Sequence, residues 1–437
     1  VNALASTALA AALAGTGCRG GPTTPQPDVL VVLIDSLRPD HVGAYGYGRG
    51  TSPNFDRWAQ QAGLFRQAYT HGTQTRIAMA SLFTGTLPTL HRIRKVNLGR
   101  DGTSSDGLSP RLETWSRSLK AAGYDTWAFS ANPNISPSFG FSLGFGHWEY
   151  EIDDDPAALA ARFLKKWQAR PGTSPGPPVF AYVHFMGVHS PYFAPPPYDR
   201  AFPVPPARKV WASYHHNVTP EDLAYTLSQY DGAILYQDKV LGDLLSAWKA
   251  GAGKRPQVTI VLSDHGEEFL DHGGLGHGST VYEELARVVL AIEAPGVTAG
   301  NHDEPVCQND VHRLVLDLAR ARVPELARGR PYAKWGSPPP PFYVESSQGI
   351  VGVRAGQYLL ERPLDHPRRA VWYDRASDPG EKNPRRDKEV LHALQAEIDR
   401  IAAADGVQAD ALGTPARASM KPDTAEQLKA LGYVASQ

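Results

Sequence analysis

Val29-Leu30-Val31-Val32-Leu33-Ile34 is a continuous apolar run of strand length, and Asp35 follows it directly. A strand with one wet face alternates apolar and polar residues. A strand without that alternation is covered on both faces, as in a parallel sheet between helices. The same grammar recurs downstream. Val179-Phe180-Ala181-Tyr182-Val183-His184 and Val258-Thr259-Ile260-Val261-Leu262 are buried-strand runs, the second leading into Ser263-Asp264-His265-Gly266. Helical stretches separate the strands: 53–63, opened by Ser52 and Pro53 and closed by glycine, then 112–122, 156–168 and about 221–249. Residues 124–129 and 288–292 add two more strands. This alternation predicts an α/β fold with a mostly parallel central sheet flanked by helices, whose ligands bind beyond the carboxyl ends of the strands. Asp35, Asp264 and His265 all fall at such ends.

The chain has 437 residues, 42% of them hydrophobic, enough to bury a large core in one big α/β domain with a smaller appendage. The character changes near residue 325. After a proline run at 338–341, short strand-like pieces at 342–345, 350–354, 358–360 and 371–373 predict a small antiparallel sheet. An amphipathic helix at 388–404 and a polar tail that packs back on the body complete this part. A net charge of -1 gives no basic excess for a nucleic-acid partner, so none is expected. Two cysteines, Cys18 and Cys307, make neither a disulfide scaffold nor a metal-binding spacing.

Residues 3–14 are an Ala/Leu-rich apolar run too short to span a bilayer, followed by Gly15-Thr16-Gly17-Cys18 and a Pro/Thr/Gly-rich stretch to residue 27. The pattern is similar to a bacterial lipobox, with Gly15 where a large aliphatic residue is usual. It predicts an exported protein of the cell envelope, periplasmic or on the outer surface, anchored to the membrane through an acylated Cys18. The expected organisation is a signal and tether at 1–27, a catalytic α/β domain at 28–325, and a C-terminal subdomain at 326–437.

Thr75-Arg76-Ile77-Ala78-Met79-Ala80-Ser81-Leu82-Phe83-Thr84-Gly85 is a helix-compatible segment closing on glycine. Thr75 is expected at its start with an exposed hydroxyl, where backbone N–H groups carry partial positive charge and welcome an oxyanion. A plain N-cap threonine is the competing reading. Asp35 and Asp264, with His265 adjacent, supply the oxygen and nitrogen donors that a divalent ion such as zinc or manganese prefers. Thr75 would complete that shell, and metal binding would turn its hydroxyl into a nucleophile at neutral pH. His189, His272 and His277 are candidates to bind the non-bridging oxygens of an anionic ester or to protonate its leaving group. Glu267 and Glu268 read as first-turn helix acids. His41, Asp231, Asp238 and His302 are candidates for a second ion by residue type alone. The Pro-rich stretch 191–206 reads first as a plain covering loop near the strand ends, with contact between substrate and Tyr192, Phe193 or Tyr198 as the competing reading.

These residues together make the chain resemble the sulfatase family of the alkaline phosphatase-like superfamily. Val31 to His41 resembles the family's opening strand and metal-binding turn, and Tyr45-Gly46-Tyr47 with Thr51 to Arg57 resembles the segment that follows it. Ser81 to Gly85, with Pro88 and His91, resembles the end of the nucleophile segment. His184 to Tyr192 resembles the strand and histidine that face substrate. Ser263 to Glu267, Asp271-His272-Gly273 and Tyr282-Glu283-Glu284 resemble the second metal-binding region. Trp372 to Pro384 and Gln427 to Val434 resemble the family's C-terminal part. The resemblance implies an alkaline phosphatase-like sandwich and an ester hydrolase.

The departures narrow the chemistry. Family sulfatases carry Cys or Ser in a C/S-x-P-x-R signature that matures to formylglycine; in register, Thr75 stands at that position, Ile77 at the proline and Met79 at the arginine. No formylglycine can form from threonine. Ser36 replaces the usual second aspartate and His277 the usual lysine. The residual set, Asp35, Thr75, Asp264 and His265, resembles the single-metal, threonine-nucleophile branch that includes phosphoethanolamine transferases and related phosphodiesterases. It implies one divalent ion (zinc, manganese or calcium) and an anionic ester substrate, a phosphorylated or sulfated glycan or lipid head group. Three functions follow: a metal-dependent phosphoester hydrolase or transferase acting through Thr75, a sulfuric ester hydrolase without formylglycine, and a non-catalytic surface lipoprotein that binds an anionic glycan or head group.

Overall fold

The computed structural model describes residues 25–94, 104–151, 155–170, 176–204, 218–251, 253 and 255–430. The apolar run at 3–14 and the acylation expected at Cys18 lie outside these residues. The central sheet is built from β1 (Asp28–Ile34), β2 (Gly63–Phe65), β3 (Asp125–Ser130), β4 (His147–Tyr150), β5 (Val179–Phe185), β6 (Gln257–Ser263), β7 (Leu290–Glu293) and β8 (Gly300–His302). Their spatial order is β8-β2-β7-β6-β1-β5-β3-β4. All neighbours pair in parallel except β7, which runs antiparallel to both β6 and β2.

β1 lies at the centre because it carries no polar face. Val29, Val31 and Leu33 enter one core with Ala78, Leu82 and Phe83; Leu30, Val32 and Ile34 enter the other with Phe163, Leu244 and Trp248. Each such side chain removed from water contributes roughly 1.5–3 kcal/mol. A charge on either face of this strand would forfeit that and add its own desolvation cost.

Helices cover both faces: α1 (Pro53–Ala59), α2 (Thr75–Thr84), α3 (Trp115–Ala121), α4 (Pro156–Gln168), α5 (Pro220–Ala250) and α6 (Gln308–Leu318). A second, antiparallel sheet follows, β9 (Phe342–Glu345), β10 (Ile350–Ala355), β11 (Tyr358–Pro363) and β12 (Val371–Asp374), packed against α7 (Lys388–Leu412).

Three expectations need correction. The helix expected at 53–63 ends at Ala59, and Gly63 opens β2 instead. A Cβ at Gly63 would lie 2.9 Å from Val297 Cγ1 and 3.0 Å from the Thr298 carbonyl, so this glycine permits strand packing and does not cap a helix. The helix expected at 388–404 runs on to Leu412 and stops where Gly413 adopts φ 61°, the left-handed cap conformation. Glu267 and Glu268 start no helix; Glu268–Phe269 is a short strand paired with Leu275–Gly276.

The C-terminal sheet is stitched to the loop that precedes α2. Thr73 N donates to the Glu345 carbonyl (3.1 Å) and Glu345 N to the His71 carbonyl (3.0 Å). The tail packs back as expected, Ala416–Ser419 pairing with Ser104–Gly107.

Candidate active site

β1 and β6 are parallel neighbours with Ile34 opposite Ser263, so the residues just past their ends, Asp35 and Asp264, emerge side by side. The chain then turns sharply at Ser36, whose φ of 58° is rare for a residue with a side chain. The turn aims Ser36 N at Asp264 Oδ1 (3.1 Å), and the Ser36 hydroxyl donates to Asp35 Oδ1 (2.9 Å). The structure thus gives Ser36 a role in holding both carboxylates.

α2 delivers Thr75 to the same point. Gln74 is the N-cap, its side chain accepting from Arg76 N (3.1 Å), and Thr75 is the first helical residue. Thr75 is therefore not the cap, and it is not exposed either: its accessibility is zero. Its hydroxyl is covered by Asp35 Oδ2 at 3.4 Å and His265 Nε2 at 3.2 Å. His265 Nε2 lies 3.2 Å from Asp264 Oδ2 and 3.9 Å from Asp35 Oδ1. The four residues singled out from the sequence meet in space.

These separations suit a metal ion. Four donors about 2.0–2.1 Å from zinc in a tetrahedron sit roughly 3.3 Å apart. Asp264 Oδ2 is buried and has no hydrogen-bond partner, an orphan that a cation would satisfy. His184 at the end of β5 joins the group: donor atoms of Asp35, His184 and Asp264 lie within 4.8 Å of one another.

Electrostatics point the same way. Burial alone would raise Asp35, yet the His184 hydrogen bond (Nε2 to Oδ2, 3.1 Å) and the fields of His189 and His265 hold it well below the carboxylate range. Burial, then the charge of Asp35, pushes Asp264 well above that range. Two buried carboxylates cannot both ionise cheaply without a cation between them. Burial depresses His265 to about 3, with His277 adding to the effect, so its imidazole is neutral at pH 7. Its Nδ1 donates to the Gly266 carbonyl (2.8 Å), which leaves the Nε2 lone pair directed at Thr75 and Asp264.

His189 and His277 form the adjoining wall. Their rings are 5.1 Å apart, and the His277 ring is 4.3 Å from that of His265. His277 Nδ1 bonds Glu267 Oε1 at 3.0 Å. Burial would lower His277, but Glu267 and then Asp35 lift it above the ordinary histidine value. Glu267, fully buried, is thus the partner of His277, not a helix acid.

His272 does not reach this site. Its Nδ1 bonds Glu284 Oε1 (2.7 Å), its Nε2 the Glu381 carbonyl (3.0 Å), and its ring stacks on Tyr282. With both nitrogens engaged by the protein, it joins the loop after β6 to the C-terminal part. The second-ion candidates also have structural work. His41 and Arg49 pair with Asp231, Asp238 accepts from the first backbone N–H groups of α1, and His302 pairs with Glu304. In the Pro-rich loop Tyr192 is buried against Tyr230 and Phe269, while Phe193 is 76% exposed.

Two residues were missed from the sequence. His184 was read only as the last residue of a strand. Asn132, just past β3, donates to Asp35 Oδ2 at 2.6 Å. Both sit at carboxyl ends of strands, the rule that had already selected Asp35. Arg76, the residue after Thr75, is also buried, held by Ser105 Oγ (2.7 Å) and stacked 3.8 Å over Phe139.

The sulfatase family profile matches residues 27–321. Choline-sulfatase of Rhizobium meliloti (strain 1021) is 24% identical over 369 residues, covering 70% of each chain. Phosphatidylethanolamine transferase Mcr-2 of Escherichia coli is 25% identical over 283 residues, 59% of this chain and 46% of that one. Among solved structures, phosphonate monoester hydrolase of Agrobacterium radiobacter superposes with a TM-score of 0.68 at 21% identity, covering 88% of this chain and 96% of that one. Profile, relatives and fold agree: the chain belongs to the sulfatase family of the alkaline phosphatase-like superfamily and is an ester-hydrolysing enzyme.

Proposed function

We propose that the protein is a metal-dependent phosphoesterase in which Thr75 is the nucleophile and the substrate is a phosphorylated glycan or lipid head group. The observation that carries this reading is the Thr75 hydroxyl, 3.2 Å from His265 Nε2 and 3.4 Å from Asp35 Oδ2 inside a donor set of metal-binding type. Asp35, Asp264 and His265 hold the ion, with His184 and Asn132 fixing Asp35. A bound divalent cation supplies the positive charge that makes a threonine hydroxyl acidic enough to attack and that offsets charge on the ester oxygens.

In the first step Thr75 Oγ1 bonds to phosphorus as the bond to the departing oxygen breaks. The Thr75 proton passes to Asp35 Oδ2, 3.4 Å away, because the His265 Nε2 lone pair is committed to the ion, and it returns to Oγ1 when the phosphothreonine is cleaved in the second step. His277, raised by Glu267, delivers a proton from Nε2 to the leaving oxygen, and His189 steadies the anion. In the second step water, or an acceptor alcohol, attacks phosphorus from the opposite side and Oγ1 leaves, with His277 taking the attacking proton. A formylglycine hydrate sheds sulfate by collapsing to an aldehyde. A threonine ester has no such route, so the chemistry favours phosphorus. The likeness to choline-sulfatase supports sulfuric ester hydrolysis as the second reading.

Metal content by mass spectrometry, paired with turnover of aryl phosphate, phosphodiester, phosphonate and sulfate esters, tests the proposal. Wild type is expected to hold about one divalent ion per chain and to cleave a phosphorus ester. Thr75→Ala should lose roughly 10³-fold or more in kcat, Thr75→Ser should retain measurable turnover, and His277→Gln should accumulate phosphothreonine at residue 75. Faster cleavage of sulfate than of any phosphorus ester, or an active Thr75→Ala, overturns the reading.

A further inference from the structure

Successive side chains of a strand alternate between its two faces, so Tyr182 and His184 of β5 point to the same side. That side is the core under α2. Tyr182 packs there edge-on against Phe83, with ring centroids 5.0 Å apart, and against Trp115 at 6.0 Å, and it has no exposure to solvent. His184 stands nearer the carboxyl end of the strand, where Asp35 and Asp264 emerge. Its distance to both carboxylates suits a third ligand for an ion, and the position of its ring proton decides whether it can be one.

Both nitrogens of the ring have a partner. His184 Nδ1 lies 2.8 Å from the Tyr182 hydroxyl, and Nε2 lies 3.1 Å from Asp35 Oδ2. A neutral imidazole carries one proton, so one nitrogen donates and the other accepts. The ionised Asp35 can only accept, which puts the proton on Nε2. With the proton on Nδ1 instead, a bare lone pair would face a carboxylate oxygen. Asn132 Nδ2 could serve that lone pair only at 3.4 Å, whereas it meets Asp35 Oδ2 at 2.6 Å. Nδ1 is therefore the acceptor and the Tyr182 phenol its donor.

The phenol has one alternative acceptor, Met79 Sγ on α2, at 3.2 Å. A thioether accepts weakly and an imidazole nitrogen well, so the O–H turns to Nδ1. Burial keeps the proton on the phenol, raising Tyr182 well above the ordinary tyrosine value. The consequence reaches Asp35. Its Oδ2 accepts from His184 Nε2 and Asn132 Nδ2, and its Oδ1 accepts from the Ser36 hydroxyl. Three donors fix the plane of the carboxylate. Oδ2 is also the atom 3.4 Å from Thr75 Oγ1, so this orientation bears on the attack.

We propose that Tyr182 is a positioning residue for the ester-cleaving centre: its hydroxyl donates to His184 Nδ1, which fixes the ring proton on Nε2 and makes His184 a hydrogen-bond donor to Asp35 instead of a ligand of the ion. With Nδ1 occupied and Nε2 protonated, His184 has no lone pair to offer a metal. Its effect on turnover rests on the reading of Asp35 as an ion ligand. The tautomer itself does not, because it is read without metal or substrate.

Nitrogen NMR of the whole chain with isotope-labelled histidine tests it, the His184 signals being those lost in His184→Gln. Metal-free wild type is expected to show Nε2 protonated and Nδ1 bare, and added zinc should leave that assignment unchanged. Tyr182→Phe removes one oxygen and keeps the ring packing. It should move the Nδ1 signal to that of an unbonded nitrogen and lower kcat roughly tenfold at nearly constant KM, the worth of one buried hydrogen bond. His184→Gln, which keeps an N–H for Asp35, should retain more turnover than His184→Leu. Four results overturn the proposal: a proton on Nδ1, protons on both nitrogens, loss of the Nε2 proton when zinc is added, or a Tyr182→Phe variant that melts lower while its Nδ1 signal and kcat stay those of wild type. Failure of the phosphoester reading would show instead as absent phosphoester turnover in wild type, with the nitrogen assignment intact.

Discussion

Asp264 is the residue whose surroundings are most at odds with its chemistry. It is fully buried beside the ionised Asp35, two backbone N–H groups satisfy Oδ1, and Oδ2 has none. Left without a cation this arrangement is destabilising, and a divalent cation bound there, as proposed, would reverse the sign. Asp264→Asn keeps an acceptor at Oδ1 and removes the charge. In chelator the variant should melt higher than wild type, by about 1–3 °C. Added zinc should raise the melting temperature of wild type and leave the variant unchanged, because only wild type gains binding energy in the folded state. A variant that melts lower in chelator and still responds to zinc would remove Asp264 from the metal shell. The neighbouring Thr75 makes the complementary point: its hydroxyl type was readable, whereas its burial was set by Asp35 and His265 closing over it from other strands.

At the scale of the element, α2 is the part on which positioning depends. A Cβ at Gly72 would lie 2.5 Å from Ile77 Cβ, so this glycine lets the preceding loop lie against the first turn of the helix. Gly72→Ala should cost about 1–3 kcal/mol in denaturant unfolding and lower kcat more than KM, since the loop must shift with Thr75 attached. Further along, α2 is held by two buried neutral histidines. His91 Nε2 lies 3.0 Å from Ser81 Oγ and His312 Nδ1 donates to the Leu82 carbonyl at 2.8 Å. Burial pulls His91 down to about 3 and His312 to about 4. Unfolded histidine titrates near 6.5, so between that value and about 4 the unfolded chain binds more protons and stability falls as pH falls. Urea denaturation from pH 7 to pH 4 should show this loss, and His312→Asn should have a flatter slope over the same window.

At the scale of the whole molecule, the division near residue 325 is a change of architecture without independence. Val344 of β9 packs on Val281 and Ala286, Glu345 is bonded to His71 and Thr73, and Ala416–Ser419 completes a sheet with Ser104–Gly107. A chain ending at residue 325 would leave these edges and apolar faces in water. It should be insoluble, or soluble without metal-stimulated melting or turnover; an active, cooperatively melting fragment would show that the two parts are separable.

The α/β class was legible in Val29 to Ile34, because a strand buried on both faces cannot alternate, and that property is local. The donor types at Asp35, Thr75, Asp264 and His265 were legible for the same reason: chemistry belongs to the residue, and strand ends mark where it gathers. From the sequence His272 reads as a substrate ligand and Glu267 as a helix acid, and the structure reverses both, since partners within one polar, glycine-rich region are not written in residue type. The tertiary structure separated them by partner, sending His272 to Glu284 and Glu381 and Glu267 to His277. His184 and Asn132 joined the site only through parallel pairing of β5 with β1 and β3. Sequence by itself determined what the side chains can do. Which of them meet was decided by strand order and the turn at Ser36, because contacts between residues a hundred positions apart are fixed by packing of the whole sheet.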